Sequence, residues 1–158
     1  MIIVSDTSAI NNLAAIGKLD LLQQLYGKII IPTAVYQERL NAGATDPGTL
    51  AVQTLDWIQT KSVTNFALLQ TLQNNLDIGE AEAIALAVEL NATRLIIDER
   101  RGRNQATQLG VQVIGLLGIL LAAKQQGLVP TVQTVLDDLM KQGFWIREQL
   151  YTEILQLA

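Results

Sequence analysis

Three short runs, Ile2-Ile3-Val4, Ile29-Ile30-Ile31 and Leu95-Ile96-Ile97, are apolar throughout and rich in β-branched residues. A strand with one wet face alternates apolar and polar side chains, so an unbroken apolar run implies a strand covered on both faces. Such sheets are assembled from right-handed strand–helix–strand units. Helical patterns near residues 8–25, 33–41, 66–74, 78–91 and 102–109 supply the cover. Val111-Gln112-Val113-Ile114 adds a fourth strand, and Trp57 to Val63 a weaker one. Residues 115–126 and 131–156 read as further helices, broken by Gly127-Leu128-Val129-Pro130 and by Gly143, which makes 115–158 a C-terminal helical portion. The expected fold class is α/β with a central parallel sheet. At 158 residues the chain is expected to form a single domain, 1–158.

Composition narrows the chemistry. The chain has no cysteine and no histidine, which excludes disulfides, zinc sites of the Cys/His kind, cysteine nucleophiles and Ser-His-Asp triads. Clustered carboxylates remain, and these prefer hard, oxygen-seeking cations such as Mg²⁺ or Mn²⁺. No apolar run reaches the roughly 18 residues of a membrane span, and Met1 to Val4 leads into Ser5-Asp6 instead of a signal-peptide pattern. No membrane association and a cytoplasmic location are expected. The net charge of −4 opposes a broad basic surface for nucleic acid, but Arg100, Arg101 and Arg103 concentrate positive charge locally.

Ligands of an open parallel sheet collect at the carboxyl ends of its strands. Asp6 follows the first strand and Asp98 directly follows Leu95-Ile96-Ile97, so both belong to that edge. Asp6 also suits a helix N-cap, with Thr7 or Ser8 as a supporting hydroxyl. Glu38 shares a helix face with Ala34 and Val35, which directs it inward. Asp77 and Glu80 have the spacing of a capping box, yet Glu80 lines up with Ile84 and Ala87, an apolar face where an unpaired charge is costly. Glu82 and Glu89 fall on a face that reads as solvated. Asp98 in Asp98-Glu99-Arg100-Arg101-Gly102-Arg103 reads either as an acidic N-cap before a basic first turn or as part of a phosphate-handling site, acids holding a metal and arginines gripping phosphate. Four acids cannot share a pocket ionised without cations, so a site of one or two ions is expected if Asp6, Glu38, Glu80 and Asp98 converge.

The segments Ile3-Val4-Ser5-Asp6-Thr7-Ser8, Ile30-Ile31-Pro32 with Val35-Tyr36-Gln37-Glu38, Gly79 to Ala87 and Leu95 to Arg103 together resemble PIN-domain proteins. Their order is similar to that of a bacterial subgroup of VapC-like toxins, which also carry segments like Val113 to Leu120 and Ala123 to Pro130. The resemblance covers nearly the whole chain. It implies a three-layer α/β/α sandwich around a sheet of about five strands, and a ribonuclease that cleaves RNA with Mg²⁺ or Mn²⁺ to leave 5′-phosphate and 3′-hydroxyl ends. By position, Asp6, Glu38, Glu80 and Asp98 take the catalytic and metal-binding roles, Thr7 or Ser8 the supporting one, and Arg100, Arg101 and Arg103 face RNA. A homodimer and a small antitoxin partner are implied in the same way. The chain departs from the pattern at Glu80, where many relatives have Asp, and at Ile96, where many have Thr or Ser.

Two other readings fit fewer residues. A binding module without activity would use the apolar C-terminal helices, where Leu116, Leu117, Ile119, Leu120 and Leu121 form a dense run suited to core or interface. A phospho-acceptor domain shares the strand-end aspartate, but the first strand is not followed by an Asp-x-Asp pair and no lysine follows Val111 to Ile114.

Overall fold

The computed structural model describes residues 1–158. Five strands, β1 (Ile3–Ser5), β2 (Ile29–Pro32), β3 (Ile58–Lys61), β4 (Arg94–Ile96) and β5 (Val113–Ile114), pair in the order β3-β2-β1-β4-β5. All pairings are parallel, in the register Val4 with Ile30 and Leu95, Ile29 with Ile58, and Leu95 with Val113. The weak segment before Val63 therefore does form a strand, and it lies at the sheet edge. Its burial changes after one residue from buried Ile58 to three exposed positions, which explains its faint apolar signal.

Alternation along each central strand feeds two cores. Ile3, Ile29, Ile31 and Ile96 enter a core of 25 buried residues, and Val4, Ile30, Leu95 and Ile97 enter one of 14 on the opposite face. The larger core is closed by α1 (Thr7–Ala15), α2 (Asp20–Tyr26), α4 (Pro47–Thr54), α8 (Leu116–Gln125), α9 (Val132–Lys141) and α10 (Glu148–Leu157). The smaller is closed by α5 (Phe66–Gln73), α6 (Ile78–Glu89) and α7 (Arg100–Gln108). This is the α/β/α sandwich. None of the helices is long and apolar enough to cross a membrane.

Several expectations need correction. The pattern over 8–25 is two helices, because Gly17 takes φ +69°, a left-handed conformation that ends α1 and that a side chain would strain. Gly143, at φ +101°, divides the last helical pattern into α9 and α10 as expected. Helix α4 is additional; its start, Asp46-Pro47, combines an N-cap carboxylate accepting from the Thr49 N–H at 3.0 Å with proline in the first turn. Glu82 and Glu89 are half-buried acceptors rather than solvated charges. Glu82 accepts from the Ala34 N–H at 3.0 Å and so caps α3 (Thr33–Asn41), whose own N-cap, Pro32, has no side chain to do so. Glu89 takes the N–H groups of Thr64 and Asn65 at 2.7 and 2.6 Å. In the C-terminal run, Leu116, Ile119 and Leu120 are fully buried, and Leu117 and Leu121 pack partly buried against them.

Candidate active site

From β1 the chain builds β2 and β3 on one side, then crosses back to place β4 and β5 on the other. Connections that leave neighbouring strands in opposite directions open a crevice at their carboxyl ends. That crevice lies beyond β1 and β4, where the Asp6 N–H donates to the Ile96 carbonyl at 3.0 Å and ties the two strands together. It widens into a cleft of about 640 Å³, lined by Asp6, Thr7, Ser8, Glu38, residues 75–77, Gly79, Glu80 and residues 98–101. Leu76 is its one apolar wall residue. All four acids selected from the sequence therefore face one space.

Asp6 is 5% exposed and serves as N-cap of α1, accepting from the Ser8 N–H at 3.1 Å. Burial, reinforced by the charges of Asp98, Glu80 and Glu38, outweighs that bond and pushes its carboxyl up to about 7. Asp98 is held at both oxygens: Oδ1 accepts from the Leu116 N–H at 2.8 Å and Oδ2 from the Ser8 hydroxyl at 3.2 Å. It does not cap its own helix. Glu99 caps α7 through the Arg101 N–H, and Asp98 caps α8 from the neighbouring strand because the N-cap there is Gly115. Both polar groups on Asp98 come from outside β4, so Ile96, fully buried in the larger core, leaves it supported.

Glu38 projects from α3 onto the backbone of Gly79, in the first turn of α6, without a hydrogen bond. Burial raises its pKa, as does the charge of Asp77, while Arg39 acts in the opposite sense. On α6 only half of the capping box forms. Asp77 accepts from the Glu80 N–H at 2.8 Å, but Glu80 does not reach back, and its Oε2 is buried with no partner. Burial and the neighbouring charge of Asp77 push Glu80 up to about 7.

Helix N-termini balance part of this negative charge. Asp6 lies at the start of α1, Glu38 and Glu80 at that of α6, and Asp98 at that of α8, each near the positive end of a helix dipole. The remaining excess fits a divalent cation. Every charged wall group apart from Arg100 and Arg101 is a carboxylate, and a partnerless buried Glu80 oxygen suits a hard ion. No three carboxylates stand close enough together to ligate one ion in this conformation. The strand-end acids are tethered by hydrogen bonds to the Ser8 N–H, the Ser8 hydroxyl and the Leu116 N–H, so closure around a cation would fall to the longer Glu38 and Glu80 side chains.

The supporting residues separate. Ser8 reaches Asp98, whereas Thr7 Oγ1 is buried without a partner. Asn12, one turn along α1, donates to Ser8 Oγ at 3.4 Å, which leaves the serine proton for Asp98. Asn12 and Gly115 escaped the sequence reading; the Ser8/Asn12 spacing of four on a helix was the available signal for the first. Arg100 and Arg101 line the cleft, and Arg101 donates to the Asn75 carbonyl at 3.2 Å. Arg103 is not a wall residue; its guanidinium occupies the space beside Gly115 with Asp98 Oδ1. The molecule's one side-chain ion pair joins Arg39 and Asp46 at 3.5 Å, so all three of these arginines are unpaired.

Comparison with known proteins agrees with this architecture. No curated protein matches the chain. Among solved structures, it is similar to a PilT N-terminus domain protein, SSO1118, from the hyperthermophilic archaeon Sulfolobus solfataricus P2, with a TM-score of 0.56 and 24% identity over 78% of this chain and 93% of that one. At that identity the likeness speaks for the fold. The family model DUF3368, described as a PIN domain, matches residues 2–158. With almost its whole length matched, the chain belongs to the PIN-domain family.

Proposed function

We propose that this PIN domain is a divalent-metal-dependent endoribonuclease and the toxin of a toxin–antitoxin pair. The observation that carries the reading is the cleft at the β1/β4 crevice, which Asp6, Glu38, Glu80 and Asp98 all line and where Glu80 Oε2 has no protein partner. PIN domains are typically nucleases, and this is where such a fold binds ligands. Bound Mg²⁺ or Mn²⁺ would supply charge neutralisation and a more acidic water. The acids Asp6, Glu38, Glu80 and Asp98 would hold it. Arg100 and Arg101, at the rim, would grip the RNA phosphates and turn the scissile group toward the acids. Water then adds to phosphorus as the bond to the 3′ oxygen breaks, and the proton ends on that oxygen. The products are a 5′-phosphate and a 3′-hydroxyl. In this reading the protein acts in the cytoplasm as a homodimer, restrained by a small antitoxin.

The direct test incubates transfer and messenger RNAs with the protein in Mg²⁺ or Mn²⁺, beside Asp6→Asn and Asp98→Asn. Cleavage should fall by about a thousandfold in each variant. Equal cleavage by all three proteins would refute the reading. One observation favours a second reading, a PIN-fold binding module without activity: the four acids face one cleft, yet no three are drawn together. A Mn²⁺ titration with no binding at millimolar concentration would select it.

A further inference from the structure

Three of the four cleft acids lie where a glycine omits a side chain. A Cβ built on Gly79 would run into Glu38 Oε1 and stand 3.1 Å from Glu38 Cδ. One on Gly115 would lie 2.6 Å from Asp98 Oδ1 and 3.2 Å from Arg103 Nη1. One on Gly102 would be 3.4 Å from Glu80 Oε2, an ordinary contact; its close approach is to Ile97 Cδ1 at 2.7 Å, so that glycine mainly serves packing. Neither Gly79 nor Gly115 has a positive φ, and backbone conformation does not demand glycine at either. Space for a carboxylate does.

Both positions open a helix. Gly115 is the N-cap of α8, and Gly79 lies in the first turn of α6. Without a side chain at either place, an acid from another element comes down onto the helix terminus: Glu38 from α3 onto α6, and Asp98 from the end of β4 onto α8. For Asp98 the result is its bond to the Leu116 N–H at 2.8 Å. A methyl group at either site would displace its carboxylate from that helix terminus. Because α6 packs on the smaller core and α8 on the larger, the two glycines seat their acids from opposite sides of the sheet.

We infer that Gly79 and Gly115 are positioning residues of the cleft, whose missing side chains seat the Glu38 and Asp98 carboxylates against the first turns of α6 and α8, the places from which they would close on a divalent cation. The ion-binding part rests on the proposed nuclease reading; the seating does not. The test therefore has two readouts. The first is thermal unfolding in EDTA of Gly79→Ala, Glu38→Asp and the double variant. Shortening Glu38 by one methylene makes room for the methyl group, so Gly79→Ala should lower Tm in the natural sequence and lose at least half of that effect on the Glu38→Asp background. An equal loss on both backgrounds overturns the proposal.

The second readout is Mn²⁺ affinity by calorimetry. Gly79→Ala and Gly115→Ala should each bind about tenfold more weakly, as displaced supports of metal ligands generally do. On the Glu38→Asp background, Gly79→Ala should add less than about a twofold loss. Gly118→Ala is the packing control: its Cβ would meet Ile114 Cγ1 at 2.8 Å, so Tm should fall while Mn²⁺ affinity holds. Equal weakening by Gly118→Ala, or unchanged affinity in the two glycine variants, would also overturn the proposal. If the natural protein binds no Mn²⁺ while the EDTA coupling is present, the nuclease reading fails and the seating stands.

Discussion

The two strand-end acids and the two helix-borne acids face the same cleft but are held in opposite ways. Asp6 and Asp98 accept bonds from the Ser8 N–H, the Ser8 hydroxyl and the Leu116 N–H, and they lie just beyond the carboxyl ends of the adjacent central strands β1 and β4. Glu38 and Glu80 reach in on longer side chains, one without a hydrogen bond and the other with an unpartnered buried oxygen. The contrast separates two tasks. In the proposed nuclease a fixed pair would define where an ion sits, and an extendable pair would complete its shell. Preorganising all four would bring more like charge together in the empty protein, at a cost in stability.

Protonation offers the largest test of this division, because one member of each pair titrates near neutrality. Asp6 and Glu80 are both raised to about 7, each chiefly by burial. A carboxyl whose pKa is raised on folding stabilises the fold most below its unfolded value and loses that contribution as pH rises through the folded value. The contribution of these two groups to the stability of the ion-free protein should accordingly be fully present below about pH 4 and lost as pH rises through about 7. Glu89, whose pKa its hydrogen bonds hold down, acts in the opposite sense at low pH. Ion binding should follow the opposite course. In the proposed nuclease Mn²⁺ would displace both protons at pH 6 and almost none at pH 8, so its affinity should rise about a hundredfold between them. Calorimetry in buffers of different ionisation enthalpy counts the protons. Release of one proton would confine the coupling to a single pair, and a flat affinity would remove it.

Stability without ions gives the next largest effect and orders the acids individually. At pH 8 in EDTA, Asp6→Asn should raise Tm by about 5 °C or more, because it removes a buried charge and an amide oxygen still accepts from the Ser8 N–H. Glu80→Gln should raise it by about 2 °C, since that side chain is only half-buried. Asp98→Asn should leave Tm within about 2 °C, its carbonyl keeping the Leu116 N–H and its amide facing the Ser8 oxygen. A larger gain for Asp98→Asn than for Asp6→Asn would reverse the ranking of burial and repulsion within the strand-end pair.

The same contrast explains what the sequence made legible. Ile2 to Val4, Ile29 to Ile31 and Leu95 to Ile97 announced a doubly covered sheet because burial on both faces leaves no polar alternation, and sheet geometry then picked out Asp6 and Asp98. Glu38 and Glu80 were legible through helix faces. The hidden parts depend on contacts between elements distant in sequence. Glu82 looked solvated by periodicity, yet the bare terminus of α3 lies against it. Asp98 looked like a cap for the helix that follows it, yet it caps α8, eighteen residues on. Helix α4 escaped because its weakly amphipathic sequence is short and its start signal, Asp46-Pro47, also reads as a turn. Arg103 belonged to a run of arginines whose helical spacing sends its guanidinium beside Gly115 instead of to the cleft wall.

Ser8 gives the finest test, because it serves both members of the fixed pair: its N–H goes to Asp6 and its hydroxyl to Asp98. Ser8→Ala keeps the first bond and deletes the second. Asp98 retains the Leu116 N–H, so its carboxylate gains freedom to rotate about one remaining tether. Loss of one orienting bond to a metal ligand weakens function by about tenfold at the low end of such effects, so kcat for RNA cleavage should fall by about that factor. KM should hold, since the arginine rim is untouched. A loss of general packing would instead lower Tm and act equally on any background. If the hydroxyl works through Asp98, Ser8→Ala should add almost nothing to Asp98→Asn, where the charged acceptor is already gone. A full additive loss in the double variant would assign Ser8 a separate role and break the symmetry of the fixed pair.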